Sequence, residues 1–105
     1  MAQHWTKVIE LLAVPADDVV AVQADGKELA IYGVDGDVFA TDNICTHGHA
    51  RLCDGFLEGH EIECPLHQGR FDIRNGKAMC EPLAENIKIY RVKVEDGNVF
   101  VELQS

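Results

Sequence analysis

Three Asp-Gly dipeptides, Asp25-Gly26, Asp35-Gly36 and Asp96-Gly97, limit what this chain can fold into more than any other feature. The tightest hairpin turns need positive φ at both central positions, and Asp followed by Gly is one of the few pairs that accepts this. Short segments rich in β-branched and aromatic residues flank each dipeptide, so strands are expected on either side. We read strands at about 19–24, 28–34 and 37–41, joined as a meander, and a last hairpin pairing 88–95 with 98–103. In that hairpin Tyr90, Val92 and Val94 fall on one face, with Lys88, Arg91, Lys93 and Glu95 largely interleaved. Helical periodicity is weak; only 8–13 is expected to make a turn of helix, ahead of Pro15. No repeat or linker breaks the 105 residues, so the expectation is one all-β antiparallel domain over 1–105, sandwich-like or barrel-like.

Composition narrows the classes. Hydrophobic residues at 47% and charged residues at 26% suit a folded chain rather than a disordered one. No apolar run approaches the roughly 18 residues that span a bilayer. The opening Met1-Ala2-Gln3-His4-Trp5-Thr6-Lys7 lacks the basic-then-apolar layout of an export signal. A cytoplasmic location and no membrane partner are therefore expected. Nine Lys plus Arg against eighteen Asp plus Glu give a formal charge of -9. That excess argues against nucleic acid, whose binding rests on Lys and Arg displacing counterions from phosphates.

The middle of the chain departs from this pattern. From 43 to 76 strand signal is sparse, while glycine, cysteine and histidine concentrate. So long a stretch between strands is unusual for a plain loop and is commonly functional. It is expected to be an inserted subdomain held by something other than a hydrophobic core. Within it sit Cys45-Thr46-His47 and Cys64-Pro65-Leu66-His67, with sixteen residues between the two motifs. Two thiolates and two imidazoles make a four-ligand set. Zinc takes Cys₂His₂ tetrahedrally, though its structural sites favour a Cys pair followed by a His pair. A [2Fe–2S] centre in which His₂ replaces Cys₂ on one iron draws one Cys and one His from each loop. The mixed composition of both loops fits this second arrangement better.

Cys45-Thr46-His47-Gly48 and Cys64-Pro65-Leu66-His67-Gln68-Gly69 resemble the two cluster loops of Rieske proteins. The likeness extends to Ala40-Thr41-Asp42-Asn43 before the first loop and Arg70-Phe71-Asp72 after the second. Within the family the chain is most similar to the small ferredoxin components of bacterial aromatic ring-hydroxylating dioxygenases, the naphthalene type in particular. The resemblance implies a Rieske fold, an antiparallel β-sandwich basal domain carrying a small cluster-binding subdomain at its tip. It also implies one [2Fe–2S] cluster, with Cys45 and Cys64 on the inner iron and His47 and His67 on the outer one.

Charge then constrains the chemistry. Two ferric irons and two sulfides carry a double positive charge that two thiolates cancel, so an added electron enters a nearly neutral centre. A Cys₄ site starts more negative and resists the electron. Rieske centres as a class accordingly span about -150 to +300 mV against about -400 mV for plant-type ferredoxins. High-potential relatives have an extra cysteine in each loop and hydroxyls near the sulfurs. The matching positions here are Ala50 and Leu66, and Gly69 and Phe71. Fewer hydrogen bonds to sulfur leave the reduced state less stabilised, so a potential near the low end is expected.

Gly48 and Gly69 sit where a missing Cβ admits positive φ and close approach of N–H groups to sulfur, whereas Gly55, Gly59 and Gly76 read as ordinary turn glycines. Pro65 stiffens its loop. His49 and His60 are spare histidines near a complete ligand set, and His4 is remote. Cys53 and Cys80 read as small buried thiols rather than a disulfide. Phe71, Leu66 and Phe56 are expected to shield the centre, and Asp54, Glu58, Glu61 and Glu63 to flank it as solvated charge or a docking face.

The chain is too short for an oxygenase domain with its own iron, and no glycine-rich dinucleotide fingerprint marks it as a reductase. The resemblance implies a one-electron carrier and not an enzyme. Such a carrier takes electrons from an NAD(P)H-dependent flavoprotein reductase and passes them to the terminal ring-hydroxylating dioxygenase. A monomer is expected. The alternatives are a Rieske-like small subunit of an assimilatory nitrite reductase and a zinc-stabilised interaction module.

Overall fold

The computed structural model describes residues 5–46, 50–65, 69–79 and 85–103. All three Asp-Gly pairs turn as their chemistry requires: φ is 51° and 78° at Asp25-Gly26, 53° and 82° at Asp35-Gly36, and 53° and 76° at Asp96-Gly97. The first two turns join β2 (Asp18–Ala24), β3 (Lys27–Val34) and β4 (Asp37–Asp42) into the expected meander. The third joins β9 (Val92–Glu95) to β10 (Asn98–Glu102). Three antiparallel sheets result among the described residues. β1 (Trp5–Glu10) pairs with β10 and β10 with β9; β2-β3-β4 is extended by the two-residue β8 (Ile89–Tyr90). A third sheet, β5 (Phe56–Glu58), β6 (Glu61–Glu63) and β7 (Arg70–Asp72), lies between β4 and β8 in the chain.

β3 organises the packing. Its residues from Leu29 to Val34 form a continuous buried run, the pattern of a strand covered on both faces. Leu29 and Ile31 join Ala24, Ala40, Tyr90, Val101 and Leu103 in one core, shared with the β1-β10-β9 sheet. Ala30, Tyr32 and Val34 point the other way, into a second core with Leu52, Ile62, Phe71, Ile73 and Ile87. The fully buried Tyr32 pairs its hydroxyl with Thr41 Oγ1 at 2.9 Å, and burial raises the pKa of the phenol above its usual value.

Three expectations need correction. The segment 8–13 is not one helical turn: Val8 to Glu10 belong to β1, and only Leu11–Ala13 forms a 3₁₀ turn. A register shift between Lys7 and Ile9 breaks the alternation that would have marked the strand. The final segment 88–95 is not one strand either. β8 pairs with β4, β9 pairs with β10, and the chain passes from one sheet to the other at Arg91. Finally, the inserted region does have a hydrophobic core. Leu52, Ile62, Phe71 and Ile73 are essentially inaccessible to water, each stabilising the fold by about 1.5–3 kcal/mol through burial.

Candidate metal centre

Short-range pairing builds two matching loops. β6 and β7 are registered Glu63↔Arg70, and the Cys64 N–H donates to the Gly69 carbonyl at 2.7 Å, closing the loop five residues on. The first loop closes with the same span: the Cys45 N–H donates to the Ala50 carbonyl at 2.9 Å, beside an isolated bridge between Ile44 and Arg51. Each cysteine thus heads a loop whose backbone returns on itself.

Both cysteines are buried, Cys45 at 2% and Cys64 at 1% exposure, and both belong to the core that holds Tyr32, Ile62 and Phe71. Cys64 is a free thiol. A thiolate in such surroundings is costly unless a cation neutralises it, and metal coordination does this directly. The two buried cysteines therefore fit a thiolate-ligated metal centre. The other two predicted ligands, His47 and His67, lie outside the described residues, as do Gly48, His49, Leu66 and Cys80.

Neighbouring side chains take places the sequence only partly signalled. Phe71 is buried in the same core as the two cysteines, whereas Phe56, expected to shield the centre, is 69% exposed. In β5, β6 and β7 alternate residues face outward, which puts Phe56 on the same side as Glu58, Glu61, Glu63 and Arg70. The three carboxylates converge on the Arg70 guanidinium at 3.9, 3.7 and 3.4 Å, leaving this face with net negative charge beside Cys64. His60 is a packing residue: its ring meets Phe39 edge-on at 5.6 Å between centroids, and its carbonyl accepts the Ile73 N–H. Asp72 chelates Arg74 through Nε and a terminal nitrogen at 3.0 and 2.8 Å, which holds the Asp72 carboxyl below the ordinary range.

Sequence reasoning missed one group altogether. Glu28, at the start of β3, receives Asn43 Nδ2 at 3.0 Å and a two-pronged contact from Arg51 at 3.1 and 2.9 Å. These donors, the Asn43 amide first, lower the Glu28 pKa. Asn43 Nδ2 also donates to Cys53 Sγ at 3.2 Å, and Asn43 Oδ1 accepts the Cys53 N–H at 2.8 Å. Cys53 is accordingly a partly buried free thiol occupied by a hydrogen bond. The partners lie up to 23 residues apart, so no local pattern could announce them.

Comparison with known proteins agrees with this geometry. Residues 4–91 match the family model of the Rieske [2Fe-2S] domain. The chain is 62% identical over 103 residues to the ferredoxin component of a 2,4-dinitrotoluene dioxygenase system from Burkholderia sp. (strain RASC), covering 98% of this chain and 99% of that one. It is 54% identical over 103 residues to the ferredoxin component of a naphthalene 1,2-dioxygenase system from Pseudomonas aeruginosa, with the same coverage. Among solved structures it superposes on one chain of a complex of reduced oxygenase and oxidised ferredoxin in carbazole 1,9a-dioxygenase, with a TM-score of 0.88. The sequence identity there is 34%, over 96% of this chain and 94% of the matched chain.

Proposed function

The chain belongs to the Rieske [2Fe-2S] domain family, and from that membership we propose that it is the ferredoxin of an aromatic-ring dioxygenase system. It carries single electrons from an NAD(P)H-dependent flavoprotein reductase to a terminal ring-hydroxylating dioxygenase, works in the cytoplasm as a monomer, and has no substrate site of its own. Its likeness to ferredoxin components of dinitrotoluene and naphthalene dioxygenase systems over nearly its full length supports the carrier role. A ferredoxin of similar fold in a complex with its oxygenase supports the choice of acceptor.

The observation that carries the reading is the pair of buried cysteines, heading two loops of equal span within one core. Cys45 and Cys64 supply the thiolates and His47 and His67 the imidazoles that hold one [2Fe–2S] cluster. When bound, that cluster supplies reversible one-electron chemistry at a potential raised by its imidazole ligands. The protein does the rest. The buried core at the cysteines excludes water from the thiolate side, and the hydrogen-bonded loop closures hold the ligand backbones through a change of redox state. Residues 43–76 act as the cluster-binding subdomain inserted in a single domain spanning 1–105. The acidic sheet face around Glu58, Glu61 and Glu63 lies next to Cys64, where it can steer a basic partner toward the loops. Redox encounters of this kind bury little surface, under about 1,200 Å², which keeps dissociation fast.

Reconstitution tests this. With a purified reductase and oxygenase of a naphthalene-type system, arene-dependent NAD(P)H oxidation should require the iron-loaded chain. It should vanish with His47→Ala or His67→Ala. Turnover that proceeds without the chain, or that persists with both substitutions, would overturn the proposal.

A further inference from the structure

We infer that Asn43 is a positioning residue which, with Glu28 and Arg51, fixes the first cysteine-histidine loop for its cofactor; this rests on the carrier reading above. The two loops close alike but are supported differently. The second stands on a regular ladder, with β6 and β7 paired at three successive positions. Among the described residues the first rests on the single bridge between Ile44 and Arg51, made by the closing hydrogen bond and by the Leu52 N–H on the Asn43 carbonyl.

Asn43 supplies the missing support. It follows the last residue of β4, stands two residues before Cys45, and is fully buried. Its backbone N–H donates to the Glu28 carbonyl at 3.1 Å and its carbonyl accepts the Leu52 N–H at 2.6 Å. Its side chain repeats the pattern, reaching back to Glu28 Oε1 and across to both the N–H and the sulfur of Cys53. The arm entering the loop and the arm leaving it are thereby tied to each other and to β3. Arg51, on the leaving arm, closes the circuit by gripping both oxygens of Glu28.

Packing alone does not account for these residues. A buried amide is tolerated only when its donors and acceptor are met, as they are at Asn43, and an apolar replacement would leave the Cys53 N–H without its acceptor. What a satisfied polar network adds is a single geometry, because its hydrogen bonds are directional. Asn43 has that property and sits at the loop whose ladder is shortest.

The test uses the iron-loaded full-length chain and three variants. Asn43→Asp keeps the acceptor for the Cys53 N–H but loses both Nδ2 donations and sets a carboxylate against Glu28. Glu28→Gln keeps the shape and weakens the grip of Arg51. Val99→Ala removes buried volume from β10, in a sheet that carries neither loop, and controls for general destabilisation. Three quantities are read on each: the bleaching rate of visible absorbance in excess chelator, the electron paramagnetic resonance spectrum after reduction, and the urea midpoint. Asn43→Asp should bleach about tenfold faster or more, the factor for losing one hydrogen bond to a charged group, and should alter the reduced spectrum. Glu28→Gln should shift both in the same direction by less, so the idea stays testable should Asn43→Asp fail to fold. Val99→Ala should lower the urea midpoint with a wild-type spectrum and wild-type bleaching well below that midpoint. Wild-type spectra and bleaching in the Asn43 and Glu28 variants would overturn the positioning role alone. A wild-type chain that takes up no iron would overturn the carrier reading beneath it.

Discussion

Gly55 offers a sharp test of the packing around the second loop. It follows the 3₁₀ turn Leu52–Asp54 and has φ -89° and ψ -160°, a backbone any residue adopts. On dihedral grounds alanine should be harmless there. Space says otherwise: a Cβ at Gly55 would lie 2.0 Å from the Glu63 carbonyl oxygen. Clearing even the 3.0 Å that real Cβ atoms respect requires a movement of 1.0 Å between two backbones. Glu63 cannot yield easily, because β6 is the central strand of its sheet, pairing with Phe56 on one side and Arg70 on the other. Overpacking against a pinned neighbour costs about 2–3 kcal/mol. The loss of unfolded-chain freedom on replacing Gly returns about 0.4–1 kcal/mol. The net expectation is a loss of about 1–3 kcal/mol. Gly59 is the counterpart, with φ +58° and nothing within 4 Å of its would-be Cβ. Alanine there meets only backbone strain, about 1 kcal/mol. Urea unfolding of iron-loaded Gly55→Ala and Gly59→Ala, followed by far-ultraviolet circular dichroism, should rank the Gly55 variant as less stable. It should also bleach faster, since Glu63 immediately precedes Cys64. A Gly55→Ala protein as stable as the wild type, or more stable than Gly59→Ala, would refute the steric reasoning.

Other outcomes follow from charge. The Glu28 and Asp72 carboxyls are held below their ordinary values by Asn43 and Arg51 and by Arg74. Their contribution to stability is complete above the unfolded carboxyl range, about pH 4, and is lost as pH falls through the lowered folded values. Urea midpoints measured from pH 7 to pH 3 should fall more steeply for the wild type than for a Glu28→Gln, Asp72→Asn double variant; parallel curves would contradict this. If the acidic face steers docking, the rate of electron delivery to the oxygenase should drop as salt rises, and a rate flat with ionic strength would rule that out. Direct voltammetry should give a negative reduction potential, because Ala50, Leu66, Gly69 and Phe71 stand where high-potential relatives place cysteines and hydroxyls. A potential above zero would count against it.

How much of this was legible in the sequence follows from which interactions are local. The Asp-Gly turns could be read because positive φ at two successive residues has few solutions, and the structure places those angles at all three. The meander followed, because β2, β3 and β4 are long enough to show their character. β5, β6 and β7 have three residues each, too few for a period to emerge, so the core that Ile62 and Phe71 form was hidden. The alternation read in 88–95 holds in burial only as far as Val92, since Val94 is 46% exposed and Lys93 half-buried, and it reports a face and not a partner, so it could not reveal the change of sheet at Arg91. The cysteines declared themselves through their spacing to histidine. Asn43 and Gly55 did not, since the first acts through Glu28 and Arg51 and the second through the absence of an atom beside Glu63.

Pulsed electron paramagnetic resonance of the dithionite-reduced protein reports on whether paired irons sit in a mixed thiolate and imidazole site. A sample also assayed for metal and acid-labile sulfide should hold about two irons and two sulfides per chain. Its spectrum should carry hyperfine coupling to nitrogens that disappears when His47 and His67 are replaced. A colourless chain loaded with a single zinc, or a paramagnetic centre without nitrogen coupling, would contradict such a site.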